Sequence, residues 1–233
     1  MKHTITSIAF VCLLCSLAAA APPSGQDILR RAFDMSAAVR DYTADVDVAV
    51  DMPNVKMPER RARVYFKRPD KVAIDSRGIV MIPKQALVPG NIGSELMKNA
   101  QVTLAGTKTQ GGVSVYFLKV IPAARKHGDD KLLLWVRGDR FTVERMEAYS
   151  AGKQQMAVTW EHQLVAGKYW LPRRLVATLT ASRSDFPHGP PDLDKKTAPP
   201  KKPGTITVVF YNIRVNTGLK DSLFVEKSEG KGK

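Results

Sequence analysis

The residue with most to offer chemically is Arg68, because of the company it keeps. Ala62, Val64 and Phe66 alternate with Arg61, Arg63, Tyr65 and Lys67, a period of two that gives a strand one dry face and one wet one. By parity Arg68 belongs to the dry side. A guanidinium placed there either snorkels at a rim or pairs with something inside, and its five donors suit several backbone carbonyls at once. A second constellation is acidic: Asp45, Asp47 and Asp51 interleave with Val46, Val48 and Val50. Three acids on one strand face invite a metal or acid–base reading. Arg61 and Arg63 on the next strand supply a simpler one, cross-strand ion pairs on a solvated face. His127, His162 and His188 lie far apart, none with a second ligand at metal spacing. Asp129 and Asp130 sit in a turn, where Asp is common anyway. No G-x-S-x-G, P-loop or dinucleotide fingerprint occurs. The expectation is a protein that is not an enzyme and uses no cofactor and no metal, although a catalytic set assembled only in space leaves no trace in sequence.

These side chains need elements to hold them. Residues 67–70, Lys-Arg-Pro-Asp, form a turn, since Pro fixes its own φ and pushes Arg68 out of helical geometry. Val72 and Ile74 resume the dry face, and Ser76-Arg77-Gly78 turns the chain into a third strand over 79–82. Upstream, Ser24 followed by Asp27 reads as a helix cap. Ile28, Ala32, Met35 and Val39 then form an apolar stripe on a helix ending near Asp41, with Arg30, Arg31, Asp34 and Arg40 outward. Residues 52–59, with two prolines, read as a loop. Residues 83–99 place Leu87, Ile92, Leu96 and Met97 among Gly and Pro, consistent with one or two short helices. From Gln101 onward turn signals recur about every ten residues, as in a meandering antiparallel sheet. Residues 185–204 are rich in Pro, Lys and Gly and read as an exposed loop; Ile206, Val208 and Phe210 alternate in a last long strand.

The phrase VYFKRPDKVAID over 64–75, with a helix before it and many strands after, resembles the periplasmic lipoprotein carriers of the outer-membrane sorting pathway, the LolA/LolB-like family. The ending FYNIRVNTG over 210–218, with Asp221-Ser222-Leu223-Phe224, is similar to that family's closing strand. The resemblance implies an α+β, mainly β fold: a strongly curved antiparallel sheet, an incomplete barrel, covered by an N-terminal helix and a short helical lid. It implies no catalysis, an apolar cavity for acyl chains, and Arg68 at the position of an Arg that holds the lid shut. Val48, Val64, Phe66, Arg68, Val72, Ile74, Leu96 and Met97 are then the cavity and lid residues. The better-known carriers have a longer aromatic-rich hairpin before the lid, which this chain lacks.

Lys2 and His3 precede an apolar run over 8–17 and then Ala18 to Ala21, the pattern of a secretory signal peptide cut near Ala20. The run is about half the ~20 residues of a membrane span. Both cysteines, Cys12 and Cys15, fall inside it, so the exported protein is expected to lack disulfides and thiol chemistry. The organisation expected is a signal peptide over 1–20, one carrier-like domain over 21–226 and a mobile basic tail over 227–233. The formal charge of +14 suits anionic partners such as lipid headgroups, or simply solvates a sheet face. Together these predict a soluble periplasmic monomer that binds an acylated lipoprotein or lipid and helps move it toward the outer membrane. It would touch the membrane or a membrane protein transiently through basic surface and bind no nucleic acid. The alternative is a periplasmic sensor of lipids or lipoproteins that docks on a protein partner.

Overall fold

The computed structural model describes residues 23–52, 55–78, 82, 87–88, 99–123, 128–180 and 203–225, with the side chains of 55–57 excepted. The expected signal peptide, the third strand over 79–82 save Ile82, Leu96, Met97, the loop 185–204 save Pro203 and Gly204, and the basic tail lie outside these residues. The described chain runs α1 (Gly25–Ala37), β1 (Asp41–Met52), β2 (Val55–Lys67), β3 (Lys71–Ser76), β4 (Gln101–Gln110), β5 (Val113–Ile121), β6 (Lys131–Arg137), β7 (Thr142–Ser150), β8 (Lys153–Val165), β9 (Tyr169–Leu179) and β10 (Gly204–Val215). A 3-10 turn follows at Asp221–Phe224.

All ten strands form one antiparallel sheet in the order β3-β2-β1-β10-β9-β8-β7-β6-β5-β4. The sheet is not closed: β3 and β4 are its two edges. Among the described residues it is mainly β with one α-helix, consistent with the incomplete barrel expected, and the helical lid expected over 83–99 is not shown. Strands consecutive in the chain pair with each other except β3 and β4, the edges, and the remaining pairing joins β1 to β10, where Val46 faces Phe210 and Val48 faces Val208. The valine alternation of β1 does what its period implies, burying Val46, Val48 and Val50 on the concave side.

Two expectations change. The loop expected over 52–59 is the start of β2, with Met52 opposite Val55. The prolines misled because the register between β1 and β2 slips between Val48 and Val50, and a bulge is where a strand tolerates Pro58. The helix ends at Ala37, not near Asp41. Its Ser24 cap is as expected: Ser24 Oγ accepts from the Asp27 backbone N–H at 3.1 Å and donates to the Asp27 carboxylate at 2.7 Å. Its buried stripe is Ile28, Leu29 and Ala32, while Met35 is 46% exposed.

The concave side carries two apolar clusters. The larger joins β1, β2, β3, β8, β9 and β10, with Ile82 and Leu87 added. The smaller is α1 on β5 and β6: Ile28, Leu29 and Ala32 against Leu118, Val120, Leu134 and Val136. Among the described residues only partly buried Met146 packs on both.

Candidate functional site

At one end of the half-barrel, three distant chain segments, the β2–β3 turn, Tyr169 and the residues after β10, converge on the C-terminus of α1. The last carbonyls of a helix lack intrahelical partners, and α1 has no basic residue in its last turn. Arg68, from the β2–β3 turn, supplies the missing cation. Its Nη2 donates to Ser36 O at 2.5 Å and Ser36 Oγ at 3.3 Å, and its Nε donates to Val39 O at 2.8 Å. Its backbone N–H adds a bond to Arg40 O at 2.8 Å. Cation, dipole and carbonyls reinforce one another here. Partial burial pushes the Arg68 guanidinium below its usual pKa, and it stays charged as arginine does in proteins.

The segment after β10 closes the other side. Asn216, at φ 57°, a conformation Asn tolerates better than most residues, accepts at Oδ1 from the Arg40 N–H at 2.8 Å. Its Nδ2 donates to Ala38 O at 3.0 Å and to Tyr169 Oη at 3.1 Å. The buried Asp41 carboxylate accepts from the backbone N–H groups of Thr217 at 2.8 Å and Gly218 at 3.1 Å. Lys67 Nζ then donates to Leu219 O at 2.8 Å and Asp221 at 2.7 Å, with Lys71 at 3.3 Å from the same carboxylate. Lys67 and then Lys71 hold the Asp221 carboxyl below the usual range. The junction therefore fixes the angle at which α1 leaves β1.

The far end of α1 rests on β4. A Cβ on Gly25 would stand 2.8 Å from Leu104 N, so only glycine lets the helix lie this close. Arg31 covers the Phe141 ring at 5.3 Å, and Phe141 stacks on Tyr116 at 6.4 Å. Burying Ile28 and Leu29 contributes about 1.5–3 kcal/mol each, against an ordering cost of ~1 kcal/mol or more for each of thirteen residues. A helix this short is marginal alone, so α1 is ordered by its docking and by the junction.

Val48, Val64 and Phe66 lie in the larger cluster at 2%, 0% and 0% exposure, with Val72 and Ile74 packed at its margin. Tyr42, beside Phe66 at 5.4 Å between ring centres, donates from Oη to Leu87 O at 2.5 Å; burial pushes its phenol well above the usual pKa. Arg68 bonds to Ser36 at the end of α1 and to Val39 and Arg40 just beyond it, while the 83–99 stretch expected as its lid lies outside the described residues save Leu87, Val88 and Asn99. Asp45 and Asp47 form the expected ion pairs, with Arg63 Nε at 2.7 Å and Arg61 Nε at 3.3 Å. Among the described residues no three His, Cys, Asp or Glu side chains gather as a metal site. Sequence reasoning missed Asp41 and Asn216. The Asn-Thr-Gly after the last strand was their one local signal, marking a turn with no hint of what it caps.

A third contact joins the two halves of the sheet. Arg140, in the β6–β7 turn, lies over the Trp170 ring of β9 at 4.4 Å while donating to Glu144 at 2.7 Å. His162 of β8 is nearby, its Nδ1 buried with no protein partner. Burial, with the Arg140 charge second, lowers its pKa to about 4.

No family model matches the sequence, and no curated protein is similar to it by sequence. Solved structures do match in fold. A DUF1329 family protein from Desulfovibrio piger superimposes with a TM-score of 0.58 at 14% identity, over 87% of this chain and 96% of that one. An outer membrane lipoprotein-sorting protein domain from Vibrio parahaemolyticus gives 0.57 at 13%, over 84% and 95%. A LolA superfamily protein from Nitrosomonas europaea gives 0.52 at 12%, over 88% and 99%. The chain thus shares the fold of the LolA-like lipoprotein-sorting proteins, as the motif around Arg68 implied.

Proposed function

We propose that this protein is a periplasmic carrier that takes the acyl chains of a lipoprotein or lipid onto its concave face and helps move them toward the outer membrane. The observation that carries the reading is the division of the concave face. The larger cluster is a packed core shared by six strands, while among the described residues the smaller one is roofed by one marginal helix, α1, with Ala100 beside it. Lifting α1 uncovers Leu118, Val120, Leu134 and Val136 without dismantling any strand pairing. Each CH₂ an acyl chain lays there is worth ~0.8 kcal/mol, enough for a few chains to compete with the apolar side chains of α1.

In this reading Arg68 and Asn216 hold α1 at its pivot, since residues 38–40 run directly into β1, and the Gly25 end swings. The cavity role given to Val48, Val64 and Phe66 then becomes one of scaffolding, with the acyl site beside them. The 21–226 segment acts as one monomeric unit without cofactor, and a fold that serves carriers needs no catalytic step. Native mass spectrometry of the exported protein tests the proposal. Bound acyl lipid, retained differently by Arg68→Leu, supports it. A clean unliganded mass for both overturns it in favour of a sensor that binds protein alone.

A further inference from the structure

The convex side of a half-barrel faces water, and over β1, β2, β8 and β9 it carries three cross-strand ion pairs: Arg61 with Asp47, Arg63 with Asp45, Arg174 with Glu161. Over β4 to β7 it is built differently. Cross-strand partners share a face, so Phe117, Trp135 and Arg145 form one row and Lys119, Leu133 and Glu147 the next. Leu132, Leu134 and Val136, the alternate residues of β6, point to the α1 side, which places Lys131, Leu133 and Trp135 outward. Phe117 and Trp135 meet edge to face at 5.8 Å, Arg145 lies over Trp135 at 5.5 Å, and Lys131 over Tyr149 at 5.3 Å. These rings are half-buried on a surface with no further element above them among the described residues.

The charge is as unusual as the aromatics. The carboxylate in those rows, Glu147, is already neutralised: Arg145 donates to it twice, at 2.9 and 2.6 Å, and Tyr149 Oη at 2.9 Å. Lys108, Lys119 and Lys131 form no ion pair among the described residues. Trp and Tyr with an apolar body and a polar edge, ringed by lysines, match the chemistry of a headgroup layer. A convex face offers no groove for a peptide, and its unbalanced charge is complementary to phosphate.

We propose that the convex face of β4–β7 is a membrane-docking surface for anionic phospholipid, lying back to back with the strands that α1 covers. This goes beyond acyl carriage and does not require it. The test is co-sedimentation of the exported full-length protein with vesicles of phosphatidylcholine and phosphatidylglycerol in equal parts, against phosphatidylcholine alone. The anionic vesicles should bind it, less so as salt rises. A lysine at an anionic surface is worth about five-fold in affinity, so Lys119→Glu with Lys131→Glu should weaken binding by roughly 25-fold or more. Trp135→Ser should weaken it further at constant salt, and Arg61→Glu on the paired face should leave it unchanged. Because Trp135→Ser removes a packed ring, the exposed lysine pair decides the matter if that variant is unstable. No binding to anionic vesicles overturns the proposal, as does a loss with Arg61→Glu equal to that of the lysine pair. Acyl carriage is read by bound mass and vesicle docking by pelleting, so either can fail alone.

Discussion

The two halves of the sheet solve the same burial problem with different permanence. In the β1–β3 and β8–β10 half, apolar side chains from neighbouring strands fill the concave side together with Ile82 and Leu87 of the β3–β4 connection, as where Tyr42, Phe66 and Leu87 meet. In the β4–β7 half the strands leave their apolar face to α1, whose own buried contribution is Ile28, Leu29 and Ala32. One half is a core in the ordinary sense, and removing any part of it lowers the stability of the whole. The other is a base with a cover, and removing the cover costs only the cover's own docking energy. A sheet can thus be rigid and receptive along different strands.

The sharpest way to break that comparison is a charge in each half. Phe66→Asp places a carboxylate at a fully buried site, costing several kcal/mol or forcing protonation. It should abolish cooperative folding or lower the melting temperature more than any other substitution here. Ile28→Asp is equally buried, but its cost is capped by α1 undocking. It should keep most far-ultraviolet dichroism while increasing the fluorescence of an apolar-surface dye. If both variants unfold alike, the halves are one core.

Acid should act next, at the contact that joins the halves. The His162 pKa of about 4 lies below its unfolded value near 6.5, so the unfolded chain binds the extra proton between those values. Stability therefore falls as pH drops from about 6.5 to 4. The loss is at most on the order of 3 kcal/mol, and His162→Gln should flatten it in urea titrations at stepped pH. A wild-type slope unchanged in the variant would assign the acid sensitivity elsewhere.

Arg68→Leu removes three donor contacts from the end of α1. The expected cost is ~1–3 kcal/mol, concentrated in faster amide exchange of α1 with the strands protected as before. Uniformly faster exchange would make Arg68 a general core residue. The smallest effect belongs to the wet face: Arg63→Ala breaks its pair with Asp45 and should cost under about 1 kcal/mol by chemical denaturation.

Much of this architecture was legible because it is local. The valines of β1 announce their own face, Ser24 announces its helix, and the Asp45 and Asp47 pairs follow from two adjacent strands of opposite charge. What stayed hidden depends on residues far apart in the chain. Parity turned Arg68 inward, but no local rule selects Ser36 and Val39 as its acceptors or joins Asp41 to Thr217. Pro58 misled for the opposite reason: a rule against proline in strands is overridden by a bulge that only the pairing reveals. The Phe117–Trp135 pair was readable as strand, yet its place on the outer face depended on knowing which side α1 covers.

The pairing of β1 with β10 has a consequence in time. Eight of the nine strand pairings join sequence neighbours, but this seam joins Val46 to Phe210, and such distant contacts are the slow ones in folding. Asn216 and Thr217, which secure the pivot of α1, follow directly on the last strand. Until that strand has arrived the helix is held by Arg68 and its docked face but lacks the Asn216 side of its anchorage, so the first element of the described chain to emerge is among the last to be set. A chain cut short anywhere before residue 216 would keep its strands' appetite for one another and lose its cover, leaving the β5–β6 face open to whatever greasy surface it met first.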